Sequence, residues 1–213
     1  MGRHLPFSFD LMEEPMVGDT QESEEESLLR IDCPVLLTER LVLRKPHESD
    51  AADLARLASN PRVALMLTRM PHPYGMREAD AFLSYAANRQ HGCISAVTLA
   101  ATGRFIGCAG LEPADGGALE LGYWFGQPYW GKGYATETAH ALVDVAFRNT
   151  DVDMVHASCR VTNSASRRVL HKCGFQFAGH GMKTSLAAGR ISVEQYRLDR
   201  ATWIGLKSWA ARA

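Results

Sequence analysis

A glycine-rich segment between an apolar run and an amphipathic run is the part of the sequence best suited to bind an anion. Residues 118–125 predict a buried strand, residues 126–133 a loop and residues 135–150 a helix. Glycine lets backbone N–H groups approach a ligand closely, and the N-terminus of the following helix adds partial positive charge. The segment therefore predicts a phosphate-binding loop, and a tight turn that binds nothing is the alternative.

This loop fits neither of the two common nucleotide-binding patterns. It has the glycines and the lysine of the triphosphate pattern, but Gly133 stands where a Ser or Thr hydroxyl would ligate magnesium. Pro128 lacks an N–H, and Tyr129 and Trp130 are bulky for a loop that wraps a phosphate. The dinucleotide pattern G-x-G-x-x-G lacks its last glycine. A pyrophosphate that needs no metal, such as that of coenzyme A, remains as the third possibility.

Glu120 is a lone carboxylate inside the apolar run. Strand alternation places it on one face with Gly122 and Trp124, opposite the face that carries Tyr123 and Phe125. Burying a carboxylate costs free energy unless the group is paired or functional. Glu120 is therefore a candidate general base, acting through water, or a group that orients an amine. A structural salt bridge to an arginine is the alternative.

The elements that must position these residues form an alternating pattern. A helix beginning near Ser49 or Asp50 should end at Asn60-Pro61. Apolar periodicity and turn residues predict strands at 36–44, 94–100, 105–111, 118–125, 154–159, 175–180 and 191–198, and further helices at 77–90, 135–150, 163–174 and 201–209. The strand–loop–helix–strand succession requires at least one parallel pairing, and the hairpins make the sheet mixed.

Two segments together resemble a known family. The first reads ALELGYWF at 118–125 and YWGKGYATE at 129–137, and the second reads NSASRRVLHKCGF at 163–175. They resemble the acyl-CoA motif and the later coenzyme-side helix of the GCN5-related N-acetyltransferases (GNAT), and more narrowly the ribosomal-protein N-terminal acetyltransferase branch. The opening LTERLVLR at 37–44 is also typical, and the resemblance covers roughly residues 35–200.

The resemblance implies an α/β GNAT fold: a mixed central sheet of about six or seven strands flanked by helices, with a V-shaped opening between two parallel strands. It implies acetyl-CoA as cosubstrate without a metal, and an oxyanion met by a backbone N–H near Phe125. The implied coenzyme-binding residues are Tyr123, Trp124, Phe125, Trp130, Gly131, Lys132, Gly133, Tyr134, Ala135, Thr136, Asn163 and Ser166. Trp130 departs from the Arg or Gln that the broad family favours at this position. The backbone amides and Lys132 would therefore have to bind the pyrophosphate without that side chain.

Ser166 is the candidate proton donor for the departing thiolate. The free-thiol pKa is about 8.5, so only modest assistance is needed. Asn163 and Ser166 share a helical face with Val169, Leu170 and Cys173. The structural alternatives are a helix N-cap for Asn163 and a small residue tolerated in the first turn for Ser166.

Amine pKa values bear on the acceptor. An α-amino group is roughly a tenth to a sixth neutral at pH 7, whereas a lysine side chain is neutral at only a few parts in ten thousand. A single base that acts through water, such as Glu120, is therefore better suited to an α-amine than to a lysine side chain. The predicted function is therefore acetyl transfer from acetyl-CoA to a primary amine, chiefly a protein or peptide N-terminal α-amine. A small-molecule N-acetyltransferase acting on an antibiotic, polyamine or aminoacyl compound, and a non-catalytic CoA-binding sensor, are the alternatives.

Two connecting segments are candidate walls of the acceptor cleft by the same resemblance. They are the loop at 71–75 and the turn at 183–190. Ordinary surface connections are the alternative for both.

Composition sets the remaining bounds. The 213 residues carry a formal net charge of −1 and no apolar stretch of membrane-spanning length, which argues against a membrane protein and a strongly basic nucleic-acid binder. Residues 1–31 carry a net charge of −6 against +5 for the remainder, and predict a disordered acidic tail before a catalytic domain at 32–213. Five cysteines without a C-x-x-C and no secretory signal predict reduced thiols and a cytoplasmic location. A monomer or homodimer is expected. His156 and Cys159 would point to opposite strand faces, so no metal site is predicted.

Overall fold

A mixed eight-stranded sheet forms the centre of the computed structural model, which describes residues 34–88 and 92–210. The strands are β1 (Leu36–Leu37), β2 (Leu41–Arg44), β3 (Cys93–Leu99), β4 (Phe105–Ala114), β5 (Ala118–Phe125), β6 (Met154–Arg160), β7 (Gln176–Ser185) and β8 (Gly189–Asp199). Their order is β1-β2-β3-β4-β5-β6-β8-β7. The β5–β6 pair is parallel, and the other neighbouring pairs are antiparallel.

Helices flank the sheet, with short 3-10 turns at Glu48–Asp50, Asp115–Gly117 and Gln127–Tyr129. They are α1 (Ala51–Ala58), α2 (Pro61–Ala64), α3 (Met76–Ala87), α4 (Tyr134–Asn149), α5 (Ser164–Lys172) and α6 (Arg200–Ala210). Within the described ranges, none of these helices combines the length and the apolar character that crossing a membrane requires. This arrangement confirms the predicted mixed α/β fold.

The strand count exceeds the expected six or seven because the run at 36–44 is two strands. A tight turn separates them: the Thr38 N–H donates to the Leu41 carbonyl at 3.0 Å, and the Leu41 N–H donates to Thr38 Oγ1 at 3.1 Å. The last two strands are also longer than predicted, so Lys183 belongs to β7 and not to a turn. The predicted boundaries of β5 are confirmed at both ends.

Two apolar clusters cover the two faces of the sheet. One joins α4 to the strands and includes Leu119, Leu121 and Phe125 of β5, each 5% exposed or less. The other contains residues of α1 and α3, and Trp124 packs against it. Strand alternation therefore ties β5 to both layers, as its buried pattern predicts.

The parallel strands β5 and β6 pair over only part of their length. Leu119, Glu120 and Leu121 oppose Val155, His156 and Ala157, but residues 122–125 of β5 pair with β4 alone. The carboxyl ends of the two strands are therefore apart, which leaves the predicted V-shaped opening in the middle of the sheet.

Of the four cysteines that the structure describes, three are as predicted, and the prediction of a reduced thiol is wrong for the fourth. Cys108, Cys159 and Cys173 are free and buried, whereas Cys93 is disulfide-bonded. The predicted acidic tail at 1–31 lies outside the described residues.

Candidate functional site

A cleft of about 1220 Å³ lies where β5 and β6 separate. Its lining comes from distant parts of the chain: β4 and β5, the start of α4, α5, β7 and the loop that follows α2. All the predicted coenzyme-binding residues line it except Lys132, and the predicted base Glu120 lines it too. The fold therefore brings together two segments that the sequence connects only through a resemblance.

The glycine-rich loop has the backbone conformation that its glycines allow. Gly131 and Gly133 have φ values of 75° and 83°, in the left-handed region that side chains disfavour. Gly133 directly precedes Tyr134, the first residue of α4, so the free N–H groups of the first helical turn lie at the cleft. A Cβ added at Gly131 or at Gly122 would meet no atom within 4 Å, so both glycines keep space open along the cleft lining. These features suit the two parts of coenzyme A that would lie here, the diphosphate and the narrow pantetheine arm.

Trp130 occupies the position where the broad family favours Arg or Gln. Its indole N–H donates to the Phe125 carbonyl at 2.6 Å, so the side chain folds back and ties the loop to the end of β5. The root of the loop is held as well, because the Gly126 N–H donates to the Ile106 carbonyl at 2.9 Å. Trp130 therefore stabilises the loop in place of a charged side chain.

Lys132 is outside the residues that line the cleft. Its Nζ lies 5.8 Å from the centre of the Tyr129 ring. Its carbonyl accepts a hydrogen bond from Arg40 Nη1 at 3.0 Å. The surrounding structure thus contacts both the backbone carbonyl of Lys132 and its ammonium group.

Arg40 and Glu137 form a network beside the loop that sequence reasoning missed. Glu137 accepts from the Arg40 N–H and Nε at 2.8 Å each, and from Thr38 Oγ1 at 2.6 Å. Burial opposes ionisation of Glu137, but these bonds outweigh it and hold the pKa of its carboxyl below the ordinary value. The signal was present in the segment LTERLVLR, whose first arginine, Arg40, had no assigned role.

Glu120 is paired, and its partner is Lys183 of β7, not an arginine. Lys183 Nζ donates to Glu120 Oε1 at 2.7 Å and to Ser158 Oγ at 2.8 Å, and Ser158 Oγ donates to the same carboxylate oxygen at 2.9 Å. Burial opposes ionisation of Glu120, but the bonds and charge of Lys183 outweigh it, so the pKa of Glu120 lies below its ordinary value. Glu120 is therefore a weak base that stays ionised.

The start of α5 holds the second predicted pair. Asn163 Oδ1 accepts from the Ser166 N–H at 3.1 Å, which confirms Asn163 as the helix N-cap. Ser166 Oγ lies 2.8 Å from the Tyr123 hydroxyl. Burial raises the pKa of Tyr123, so this phenol stays protonated and can donate to Ser166. When Tyr123 donates, the Ser166 proton can point to another acceptor, and the Cys159 thiol is one such neighbour.

The loop that follows α2 contacts the end of β7 and the turn after it, beside the cleft. Ser185 Oγ donates to the Leu67 carbonyl at 2.7 Å, and the Leu186 N–H donates to the Thr68 carbonyl at 2.8 Å. Tyr74, from the segment at 71–75, also lines the cleft. Both candidate walls of the acceptor site thus contribute residues to this region of the molecule.

Residues 40–176 match the sequence profile of the acetyltransferase (GNAT) domain. A curated relative, an uncharacterized N-acetyltransferase p20 from Bacillus licheniformis, is 29% identical over 180 residues, which is 80% of this chain and 98% of the relative. Solved structures share the fold at lower identity.

One of these structures is a spermidine N-acetyltransferase from Vibrio cholerae in complex with CoA and spermine. It has a TM-score of 0.67 and 19% identity over 78% of this chain and 99% of its own. Another is a ribosomal-protein-S5-alanine acetyltransferase from Vibrio fischeri, with a TM-score of 0.66 and 18% identity over 80% of this chain and 98% of its own. Since the matched profile spans more than half of the sequence, this chain belongs to the GNAT family of acetyltransferases.

Proposed function

We propose that this protein transfers the acetyl group of acetyl-CoA directly to a primary amine, and that its preferred acceptor is the α-amine of a protein or peptide N-terminus. The observation that carries this choice is the Glu120–Lys183 ion pair in the cleft. A carboxylate held ionised by a lysine accepts protons weakly, so the acceptor must supply much of its own neutral form. An α-amine with a pKa of about 7.7 to 8.0 does so, and an alkylamine with a pKa of about 10.4 does not.

The coenzyme would lie along the open edge of β5. Acetyl-CoA supplies the activated acetyl group as a thioester. The N–H groups from Gly131 to Thr136 would bind the diphosphate, and the open space beside Gly122 would admit the pantetheine arm. A backbone N–H near Phe125 would meet the oxyanion, Ser166 would hold a proton toward the sulfur, and Glu120 would receive the amine proton through water.

Direct transfer is favoured over a cysteine-linked route. Cys159 lines the cleft, but burial raises the pKa of its thiol to about 11. Cys108 also lines the cleft, and burial raises its pKa further. A thiol that stays protonated at neutral pH is a poor nucleophile. We also propose a cytoplasmic location and a monomer or homodimer, as the sequence predicts.

The acceptor class is tested by measuring coenzyme release. We expect acetyl-CoA to raise the melting temperature, and CoA thiol to appear fastest with peptides that have a free N-terminus. The matched control is the same peptide with a blocked N-terminus and an internal lysine. Spermidine is tested as a second acceptor, because one structural relative is named as a spermidine N-acetyltransferase. No binding at millimolar acetyl-CoA would contradict the function, and binding without turnover on any amine would indicate a sensor.

The role of Glu120 is tested by Glu120→Gln alone and together with Lys183→Met. If Glu120 relays a proton, we expect kcat/KM to fall by about a hundredfold or more in both variants, within the range for general bases. If Glu120 only neutralises Lys183, the double variant should recover activity, because the lysine left unpaired by the single change is gone. Because the pKa of Glu120 is already lowered, the rise of the wild-type rate with pH should follow the pKa of the acceptor amine. A rise that stays fixed when the acceptor pKa changes would contradict this.

A further inference from the structure

Arg40 holds the loop peptide between two left-handed glycines. Its Nη1 donates to the Lys132 carbonyl at 3.0 Å, and Lys132 stands between Gly131 and Gly133. Peptides flanked by glycine can rotate at low cost, because glycine accepts both signs of φ. The hydrogen bond from Arg40 to this carbonyl therefore restricts a rotation of the Lys132–Gly133 peptide that the flanking glycines would otherwise allow.

The direction of one backbone donor follows from that contact. In a planar trans peptide the C=O and the N–H point to opposite sides, so the Gly133 N–H points away from Arg40. Gly133 lines the cleft, whereas Arg40 and Lys132 are outside its lining. The Gly133 N–H is thus directed to the side on which the cleft lies.

Arg40 is itself fixed by Glu137 in the first turn of α4. The guanidinium donates from Nε at 2.8 Å and from Nη2 at 2.7 Å to the same carboxylate oxygen, Glu137 Oε2, and lies 5.0 Å from the centre of the Tyr134 ring. A planar fork can serve Glu137 and the Lys132 carbonyl together, which the single ammonium of a lysine does poorly. The position of Nη2, 3.2 Å from where a Gly133 Cβ would stand, confirms close contact with the loop.

We propose that Arg40, anchored by Glu137, is a positioning residue that presets the Gly131–Gly133 backbone to bind the coenzyme diphosphate. Arg40 does so from outside the cleft and does not touch the coenzyme. Arg40 supports the loop together with Trp130, whose indole N–H ties the loop to the end of β5. This inference rests on the proposed binding of acetyl-CoA by the loop.

The test compares Arg40→Gln on two thioesters, acetyl-CoA and acetyl-pantetheine, which lacks the diphosphate. We expect the dissociation constant and the KM for acetyl-CoA to rise roughly tenfold, the scale of one charge-assisted hydrogen bond, with kcat nearly unchanged. With acetyl-pantetheine, kcat/KM should stay within about twofold of wild type, since no diphosphate contact is lost. Arg40→Lys should fall between wild type and Arg40→Gln, and Glu137→Gln should reproduce the loss.

The matched control is Arg77→Gln, which removes another arginine–glutamate pair on the exposed surface of α3. Calorimetric binding and melting temperature are measured for every variant. Unchanged acetyl-CoA affinity in Arg40→Gln would overturn the proposal, as would an equal loss on both thioesters, which a general destabilisation would cause. If wild type itself fails to bind acetyl-CoA, the proposed function fails instead. If Arg40→Gln does not fold, the Arg40→Lys and Glu137→Gln variants decide by the same comparison.

Discussion

Replacing Ser166 by alanine is expected to lower kcat by about a hundredfold, the lower end of the range for a positioned acid. The affinity for acetyl-CoA should stay within about twofold of wild type, since one neutral hydroxyl contributes little to coenzyme binding. The reason is local: Ser166 Oγ lies 2.8 Å from the buried Tyr123 hydroxyl, which can donate to it. The serine proton is then available for the departing thiolate. Stopped assays of CoA release and calorimetric titration of each variant measure the two quantities separately.

Two further variants make this result specific. Ser84→Ala removes an exposed hydroxyl from α3, outside the cleft lining, and should leave kcat unchanged. Tyr123→Phe keeps Ser166 but removes the group that orients its hydroxyl, so we expect a smaller fall in kcat, about three- to tenfold. An unaltered kcat in Ser166→Ala would remove the acid role and leave Ser166 as a residue of the first helical turn. A large loss of coenzyme affinity would assign it to binding.

Local patterns were enough to predict the elements that carry the site. The limits of β5 follow from an apolar run between turn residues, and Asn163 follows from the preference for a side-chain oxygen at a helix start. The split of the first strand was missed, since the Thr38 hydroxyl closes a turn inside an otherwise regular alternation. Such a side-chain bond competes with the sheet ladder but leaves the apolar pattern intact.

Long-range pairs were beyond the reach of the sequence for a different reason. Glu120 was recognised as a carboxylate in need of a partner, but Lys183 is 63 residues away and was assigned to a turn. Arg40 and Glu137 are 97 residues apart, and each alone resembles an ordinary surface charge. The order of strands in the sheet and the packing of α4 against it bring these groups together. Periodicity reports which face a residue occupies, and not which residue of another element lies opposite.

Replacing Gly133 by aspartate is expected to weaken acetyl-CoA binding by a hundredfold or more. Two unit charges about 5 Å apart repel by about 3 kcal/mol at an effective dielectric constant near 20, which corresponds to roughly two orders of magnitude in affinity. The new side chain would also start 3.2 Å from Arg40 Nη2 and would compete with Glu137 for the guanidinium. Both effects weaken binding of the diphosphate, so calorimetric titration with CoA should show the loss of affinity directly.

The contributions of charge, bulk and backbone strain can be separated. Gly133→Asn has nearly the same size as the aspartate and also tolerates a positive φ, but it carries no charge. The difference in CoA affinity between the aspartate and asparagine variants should therefore become smaller as the salt concentration is raised, because screening weakens the repulsion.

Gly103→Asp places the same charge at another left-handed glycine, with φ 68° and no atom within 4 Å of the added Cβ. Since Gly103 is outside the cleft lining, this variant should bind CoA as wild type does. Equal binding by Gly133→Asp and wild type would mean that the diphosphate lies elsewhere, and the proposed roles of Gly131, Gly133 and Arg40 would fall together.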